Sequence, residues 1–376
     1  MKAAVLSAVV LSLVAVSTPA SAQFGGLLDK AQKANDAKKK LESLHLSEAE
    51  ERKIGSDVSV KVRDRFGVVQ DAAVAKYVTL VGMTLASQTE RANLQWQFIV
   101  LDTDGVNAFA SPGGFVHITR GALGLIKNEG ELAAVLGHEI GHVVNKHTVN
   151  SIQKANAEKL ASEAALSDRG PYLDKLVNLA YDKILEGKFD RDEELDADKF
   201  SVALMQKIGY APAGLADFLT RLDDRNKDQP ARNGLFASHP DTKERIAKIR
   251  QQAGPNPGAL AAARYAENIK YEATPVTTIA VVAEGASGLT GSTTTTTTDD
   301  KAKKEEPPKK DEPKKGFGLG SLKKSTTAEN QTAQVSASGG ARGVGPDRAA
   351  KGGSNPAVVK VSVSAAEIAE FKKGIA

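Results

Sequence analysis

The chain has 376 residues, with 50 Lys and Arg against 46 Asp and Glu, and it holds no cysteine. Its length suits one large domain or two smaller ones. A net charge of +4 is too small at this length to mark a nucleic-acid surface, and the lack of Cys excludes disulfides and thiolate metal ligands.

The N-terminus reads as an export signal: Lys2, an apolar stretch from Ala3 to Val16, then Ala20-Ser21-Ala22. Residues 1–22 are therefore expected to be a cleaved signal peptide, which places the mature protein in a bacterial periplasm or outside the cell. The apolar stretch is short for a bilayer span, and no later one is longer, so no transmembrane segment is expected in the mature chain. Residues 23–45 form a basic segment rich in Lys, Ala and Gly, read as solvated.

Folding signals begin at Leu46-Ser47, where Ser47 and Glu50 make a capping box. Ile54, Val58, Val62 and Phe66 then recur every four residues, as on an amphipathic helix. A second helix follows Asp71, with Val74, Val78, Val81 and Leu85 on its inner face. The period changes at Leu94, Trp96, Phe98 and Val100, which alternate with Gln95 and Gln97 and predict a half-buried strand. Asn107–Gly114 is predicted as a loop, because Pro112-Gly113-Gly114 supports neither helix nor strand. Phe115–Thr119 returns as a short strand, expected to be an exposed edge.

Helical patterning resumes at Gly121. Asn128 and Glu131 make an N-cap pair, and Leu132, Val135, Leu136, Val143 and Val144 supply a buried stripe. Further helices are predicted over 150–208, with a break at Asp168-Arg169-Gly170-Pro171. Pro212 opens another, carrying Leu215, Phe218, Leu219 and Leu222. The signal fades after Tyr271, so the domain is assigned to 46–272. Residues 273–376 contain six consecutive Thr, a Lys/Glu/Pro run and only Phe317 and Phe371 as aromatics. Such a tail cannot bury enough apolar surface to offset its chain entropy, and it is expected to be disordered. The sequence permits one exception, a short helix near its end capped by Ser364 and Glu367 that would serve as a docking segment, and a chain cut near Glu272 is expected to stay folded.

The densest chemistry lies in His138-Glu139-Ile140-Gly141-His142. Residues four apart on a helix share a face, so His138 and His142 can bring two imidazoles to one Zn²⁺. Glu139 lies beside them, placed to take a proton from a water at the metal. Two His and a Glu would be expensive to bury in this apolar run without a task. A catalytic zinc needs a third protein ligand, and the acidic stretch Asp192–Asp198 offers candidates, although such a cluster also suits a solvated helix face.

Asn107–Gly114, then Thr119-Arg120-Gly121, then Glu131–His142 resemble the HtpX/CAAX-prenyl-endopeptidase family of zinc metallopeptidases, a gluzincin family. More narrowly the chain is similar to its soluble periplasmic members of the BepA/LoiP type. The resemblance covers about residues 46–250. It implies an α+β, mainly helical, zincin-like domain with a small sheet beside the active-site helix.

It further implies Glu194 as the third ligand of one Zn²⁺, from the motif Glu194-Leu195-Asp196-Ala197-Asp198. Asp198 would then accept a hydrogen bond from a ligand imidazole, most simply His138. Asp196 stands where many relatives have Glu, at a position implied not to be a ligand. The family's His-Pro pair falls on His239-Pro240, with Arg245 following. The resemblance puts His239 near the metal, as an oxyanion stabiliser or an occupant of the open position, while a helix-capping role is the plainer reading. Arg245 would pair with a carboxylate near the site. By contrast, His147, five residues after His142, is read as turned away from its face, His117 as structural, and His45 as outside the domain.

The implied reaction is hydrolysis of internal peptide bonds, with Glu139 as general base. Asn107, Phe109, Pro112, Gly113 and Gly114 are assigned to substrate binding, with the following strand adding an extended peptide to the sheet. Such binding reads backbone and suits unfolded or misassembled envelope proteins, with the outer-membrane assembly machinery as a partner. The alternative is a chaperone or assembly factor that binds extended segments and cleaves rarely.

Overall fold

A computed structural model describes residues 44–164, 168–185, 189–227, 242–275 and 356–375. The expected signal peptide, most of the basic segment, His239 and the bulk of the tail lie outside these residues. The chain divides into two units, and the larger draws on Leu46–Asn156 and Gly170–Ala376. Helix α1 spans Glu48–Phe66 and α2 Ala72–Ala86. The strands are β1 Gln97–Leu101, β2 Ala108–Ser111 and β3 Phe115–Thr119. Then follow α3 Arg120–Leu125, α4 Glu129–Val144, α5 His147–Ala164, α6 Gly170–Leu185, α7 Arg191–Ile208 and α8 Gly214–Asn226. The last are α9 Thr242–Ala253, α10 Ala262–Asn268 and α11 Ala365–Lys373.

Local signals set most helix starts. Ser47 and Glu50 form the reciprocal capping box of α1, and the Asp71 carboxylate accepts the Ala73 and Val74 amides at α2. Both helices bury the apolar faces their spacing predicts. The sheet departs from expectation. β3 is its central strand, parallel to β1 and antiparallel to β2, in the order β1-β3-β2. The strand expected at an exposed edge is thus the middle one; the edges are β1 and β2, and β2, built from residues predicted as loop, is buried along its whole length. Ala108-Phe109-Ala110-Ser111 is too short and too weakly β-prone to announce a strand, and its pairing with β3 supplies what propensity lacks.

Helix α4 is the axis of the unit. It is buried from Glu129 to Val143 on every side, as a helix surrounded by other elements must be. Its first turn is held hard. Asn128 accepts the Glu131 amide at 2.9 Å, and Glu131 in turn takes Arg221 at 2.7 and 2.9 Å. Glu129, fully buried, accepts from the Tyr77 hydroxyl at 2.8 Å, from Tyr210 and from both faces of the Arg264 fork. Burial beside Glu129 pushes both tyrosine hydroxyls far above their ordinary value.

Residues 356–375, assigned by composition to the tail, pack on this unit. Ser364 and Glu367 cap α11 as the sequence predicts, and α11 lies against α2. Phe371 sits edge-on to Tyr77 with ring centroids 6.2 Å apart and under the Arg264 guanidinium at 4.1 Å. Ile375 is buried, and the Arg264 guanidinium donates to the Phe371 carbonyl at 3.1 Å. The Lys76–Glu367 ion pair is half exposed and contributes little.

His117, on the central strand, is fully enclosed, stacked on Phe109 and hydrogen-bonded to the Ser59 hydroxyl at 2.9 Å. Desolvation, aided by the Arg63 charge, pushes its pKa down to about 3.

Two outcomes are expected. A chain ending at Asn355 should fold but melt roughly 5–10 °C lower, since burying one large apolar side chain and its neighbours contributes a few kcal/mol; an unchanged melting temperature would show the docking to be energetically empty. His117 is neutral in the fold and charges on unfolding below its free value near 6.5, so its contribution is complete above that pH and is lost as pH falls towards 3. Between pH 7 and 4.5, in chelator, the wild type should lose about 2–3 kcal/mol more stability than His117→Gln. Parallel losses would refute a buried neutral imidazole.

Candidate metal centre

Helices α4 and α7 approach closely because small residues face each other. A Cβ on Gly141 would stand 3.3 Å from the Ala197 Cα, and one on Gly137 would stand 3.1 Å from the Ser201 hydroxyl. That hydroxyl donates across the contact to the Ala134 carbonyl at 2.7 Å. One turn of α7 before Asp198, Glu194 is thereby carried against the two histidines of α4.

The His138 and His142 Nε2 atoms lie 3.1 Å apart. Glu194 completes a triangle, with Oε1 3.4 Å from His142 Nε2 and Oε2 3.6 Å from His138 Nε2. All three side chains are buried, and their donor atoms lie within 4.8 Å of one another. Bonds near 2.0–2.1 Å in a tetrahedron give donor separations of roughly 3.3 Å, so this set suits a small divalent cation. The charges agree. Glu139, Glu194 and Asp198 are buried together with one cation, Arg245, and a divalent ion makes up the difference when the carboxylates are counted as ionised.

The surroundings hold the triangle rigid. Asp198 Oδ1 lies 3.0 Å from His138 Nδ1. The Arg245 fork donates to both Asp198 oxygens at 2.8 and 2.7 Å, and its other nitrogen meets Glu194 Oε2 at 2.7 Å. Burial alone would raise the Asp198 carboxyl, but Arg245 and His138 hold it below its ordinary value. Burial would likewise lower Arg245, yet Glu194 and Asp198 raise it, so it keeps its proton.

Residues 72–253 match the family model described as Peptidase family M48. The chain carries an M48 peptidase domain. The matched M48 segment runs from the first residue of α2 to the last of α9 and contains the whole triangle. The β-barrel assembly-enhancing protease of Escherichia coli K12 is 26% identical over 226 residues, 55% of this chain and 45% of that protein. Metalloprotease LoiP of the same strain is 28% identical over 181 residues, 47% of this chain and 70% of that protein. Metalloprotease YcaL, also from that strain, is 33% identical over 154 residues, 40% of this chain and 59% of that protein. The chain thus spans under half the length of the β-barrel assembly-enhancing proteases it matches.

Around the M48 triangle, one residue changes role. His147 is not turned away: its Nδ1 lies 3.0 Å from His142 Nδ1. Helical spacing does not reach residue 147, because α4 stops at Val144 and Lys146 takes a left-handed φ of 56°, which folds His147 back. The Lys146 ammonium, 3.0 Å from buried Glu51, helps to hold that turn. Only the left-handed break, invisible in the periodicity, could have revealed this.

The residues assigned to substrate divide. Asn107 is half-buried and joined to Thr119 through backbone and side chain. The Phe109 ring points inward onto His117, so it can bind nothing outside. Gly113 donates to Glu51 and accepts from Arg52, and the Gly114 carbonyl accepts from Gln97; together with Pro112 they build the turn into β3. A small cleft lies between the end of β2 and α4, lined by Ala110, Ser111, Pro112, His142, Val143 and Lys146.

Arg245→Ala should cost about 3–5 kcal/mol, because it leaves two buried carboxylates without their cation. Chemical denaturation of the metal-free protein measures it. A loss under about 1 kcal/mol would mean that the carboxylates find other partners.

Proposed function

We propose that this chain is a zinc-dependent endopeptidase that hydrolyses internal peptide bonds of unfolded or misassembled envelope proteins in a bacterial periplasm. The observation that carries it is the buried triangle of His138, His142 and Glu194 with Glu139 beside it on the same helix. In this reading these three side chains hold one Zn²⁺, which supplies, when bound, Lewis acidity toward a carbonyl and a water. Glu139 accepts the proton of the attacking water as the carbon–oxygen bond forms. The same carboxyl returns it to the leaving amine as the carbon–nitrogen bond breaks. Asp198 and Arg245 keep the His138 imidazole and the Glu194 carboxylate in place.

An extended substrate would pair with β2, the sheet edge beside α4, after displacing what buries that strand. Backbone pairing of this kind selects unfolded chain over sequence. The envelope assignment draws on the export-like N-terminus and on relatives named for β-barrel assembly, with the outer-membrane assembly machinery as a partner. Among the described residues no helix is long and apolar enough to cross a membrane. The near-complete burial of the triangle favours, as a second reading, a chaperone or assembly factor that cleaves rarely.

The test is zinc content together with casein cleavage. Glu139→Gln should keep zinc and lose cleavage by at least a hundredfold, on the order of a general base's contribution. Glu194→Ala should lose zinc, whereas Glu193→Ala, which removes a helix cap beside Lys183, should not. Cleavage that survives Glu139→Gln sinks the mechanism. Stoichiometric zinc with no cleavage in the wild type favours the chaperone.

A further inference from the structure

The His142 imidazole is held from behind by a chain of its own. His147 Nδ1 lies 3.0 Å from His142 Nδ1, and His147 Nε2 lies 3.2 Å from Asp196 Oδ2. The Asn145 amide donates to the same Asp196 oxygen at 2.6 Å, fixing its position. The two rings meet nearly at right angles, and Phe189 closes the other side of His142 with centroids 4.2 Å apart.

Only one arrangement of protons satisfies this chain. His142 Nε2 faces His138 and Glu194, so a metal-binding His142 must present a lone pair there. Its proton then sits on Nδ1 and is donated to His147 Nδ1. The His147 proton must therefore sit on Nε2, where it is donated to Asp196. Every donor meets an acceptor, and neither ring keeps a choice of tautomer.

We infer that His147 and Asp196 form a relay that orients His142 and fixes its tautomer as a metal ligand, His147 being a positioning residue. The inference rests on the metal-centre reading proposed above. It gives each imidazole of the triangle its own carboxylate. His138 reaches buried Asp198 directly, whereas His142 reaches Asp196 through a second imidazole. Asp196 is half exposed, with 53% of its side chain accessible, so water can stand in for it and its removal should matter less than removal of His147. The left-handed Lys146 is the backbone device that closes the relay, since a continued helix would carry residue 147 away from His142.

Zinc affinity of the full chain, by competition with a chelator, is the first readout. His147→Phe keeps the ring and removes the acceptor, and should weaken zinc binding by about 10–100-fold. His147→Asn puts a carbonyl where Nδ1 stands and should restore most of the loss, and Asp196→Asn should give a smaller one. Nitrogen NMR of histidine-labelled, zinc-loaded wild type is the second readout and needs no variant: the His147 proton should reside on Nε2. Wild-type zinc affinity in a folded His147→Phe protein, or a His147 proton on Nδ1, overturns the relay alone. A wild type that binds no zinc overturns the metal-centre reading and the relay with it.

Discussion

The contact between α4 and α7 is the constraint on which the rest of the architecture depends. Gly137 and Gly141 on one helix meet Ala197 and Ser201 on the other, so the backbones come close enough for short acidic side chains to reach the histidines. That approach forces three carboxylates into a dry interior, where an unpaired charge is untenable. Arg245, brought in by α9, answers part of the excess, and the proposed metal answers the rest. Each part thus explains another: small residues permit the approach, the approach buries the charges, and the charges require the guanidinium and the cation.

Helix α4 is also anchored at both ends by polar groups that have nowhere else to go. At its start, Glu129 and Glu131 collect two tyrosines and two arginines drawn from α2, α8, α10 and the Tyr210 segment. At its end, Lys146 and His147 fold back onto Glu51 and His142. A helix fixed in this way cannot slide or rotate without breaking several buried hydrogen bonds, which suits a scaffold that must hold donor atoms to fractions of an ångström.

Much of this was legible in the sequence, and the limits are physical. Ser47 with Glu50, Asp71 and Asn128 with Glu131 are local chemistry, so the helix starts they specify could be read from a few adjacent letters. The pairing of His138 with His142 follows from helical spacing alone. Glu194 needed a family resemblance, because nothing in Asp192–Asp198 says which carboxylate faces inward. β2 was missed because Ala108–Ser111 becomes a strand only through its register with β3. His147 was misread because its position depends on one left-handed residue, Lys146, where Gly or Asn would have given a signal. The docking of Phe371 and Ile375 was only partly visible: the cap at Ser364 is local, whereas the surface that receives them joins Tyr77 to the adjacent pair Arg264 and Tyr265, far from it in the chain.

The docked end of the chain alters what the low-complexity stretch can be. The Thr274 carbonyl is held by Arg225 on one side, and the Pro356 carbonyl by Arg63 on the other. The chain is therefore anchored to the domain on both sides of residues 276–355, a stretch of 80. Closure entropy grows only with the logarithm of length, so doubling or halving the stretch changes stability by about 0.6 kcal/mol. By this measure a change in its length has little effect on the fold. A single backbone cut within it has a different effect: the attachment of α11 ceases to be intramolecular and becomes an ordinary binding equilibrium, sensitive to dilution.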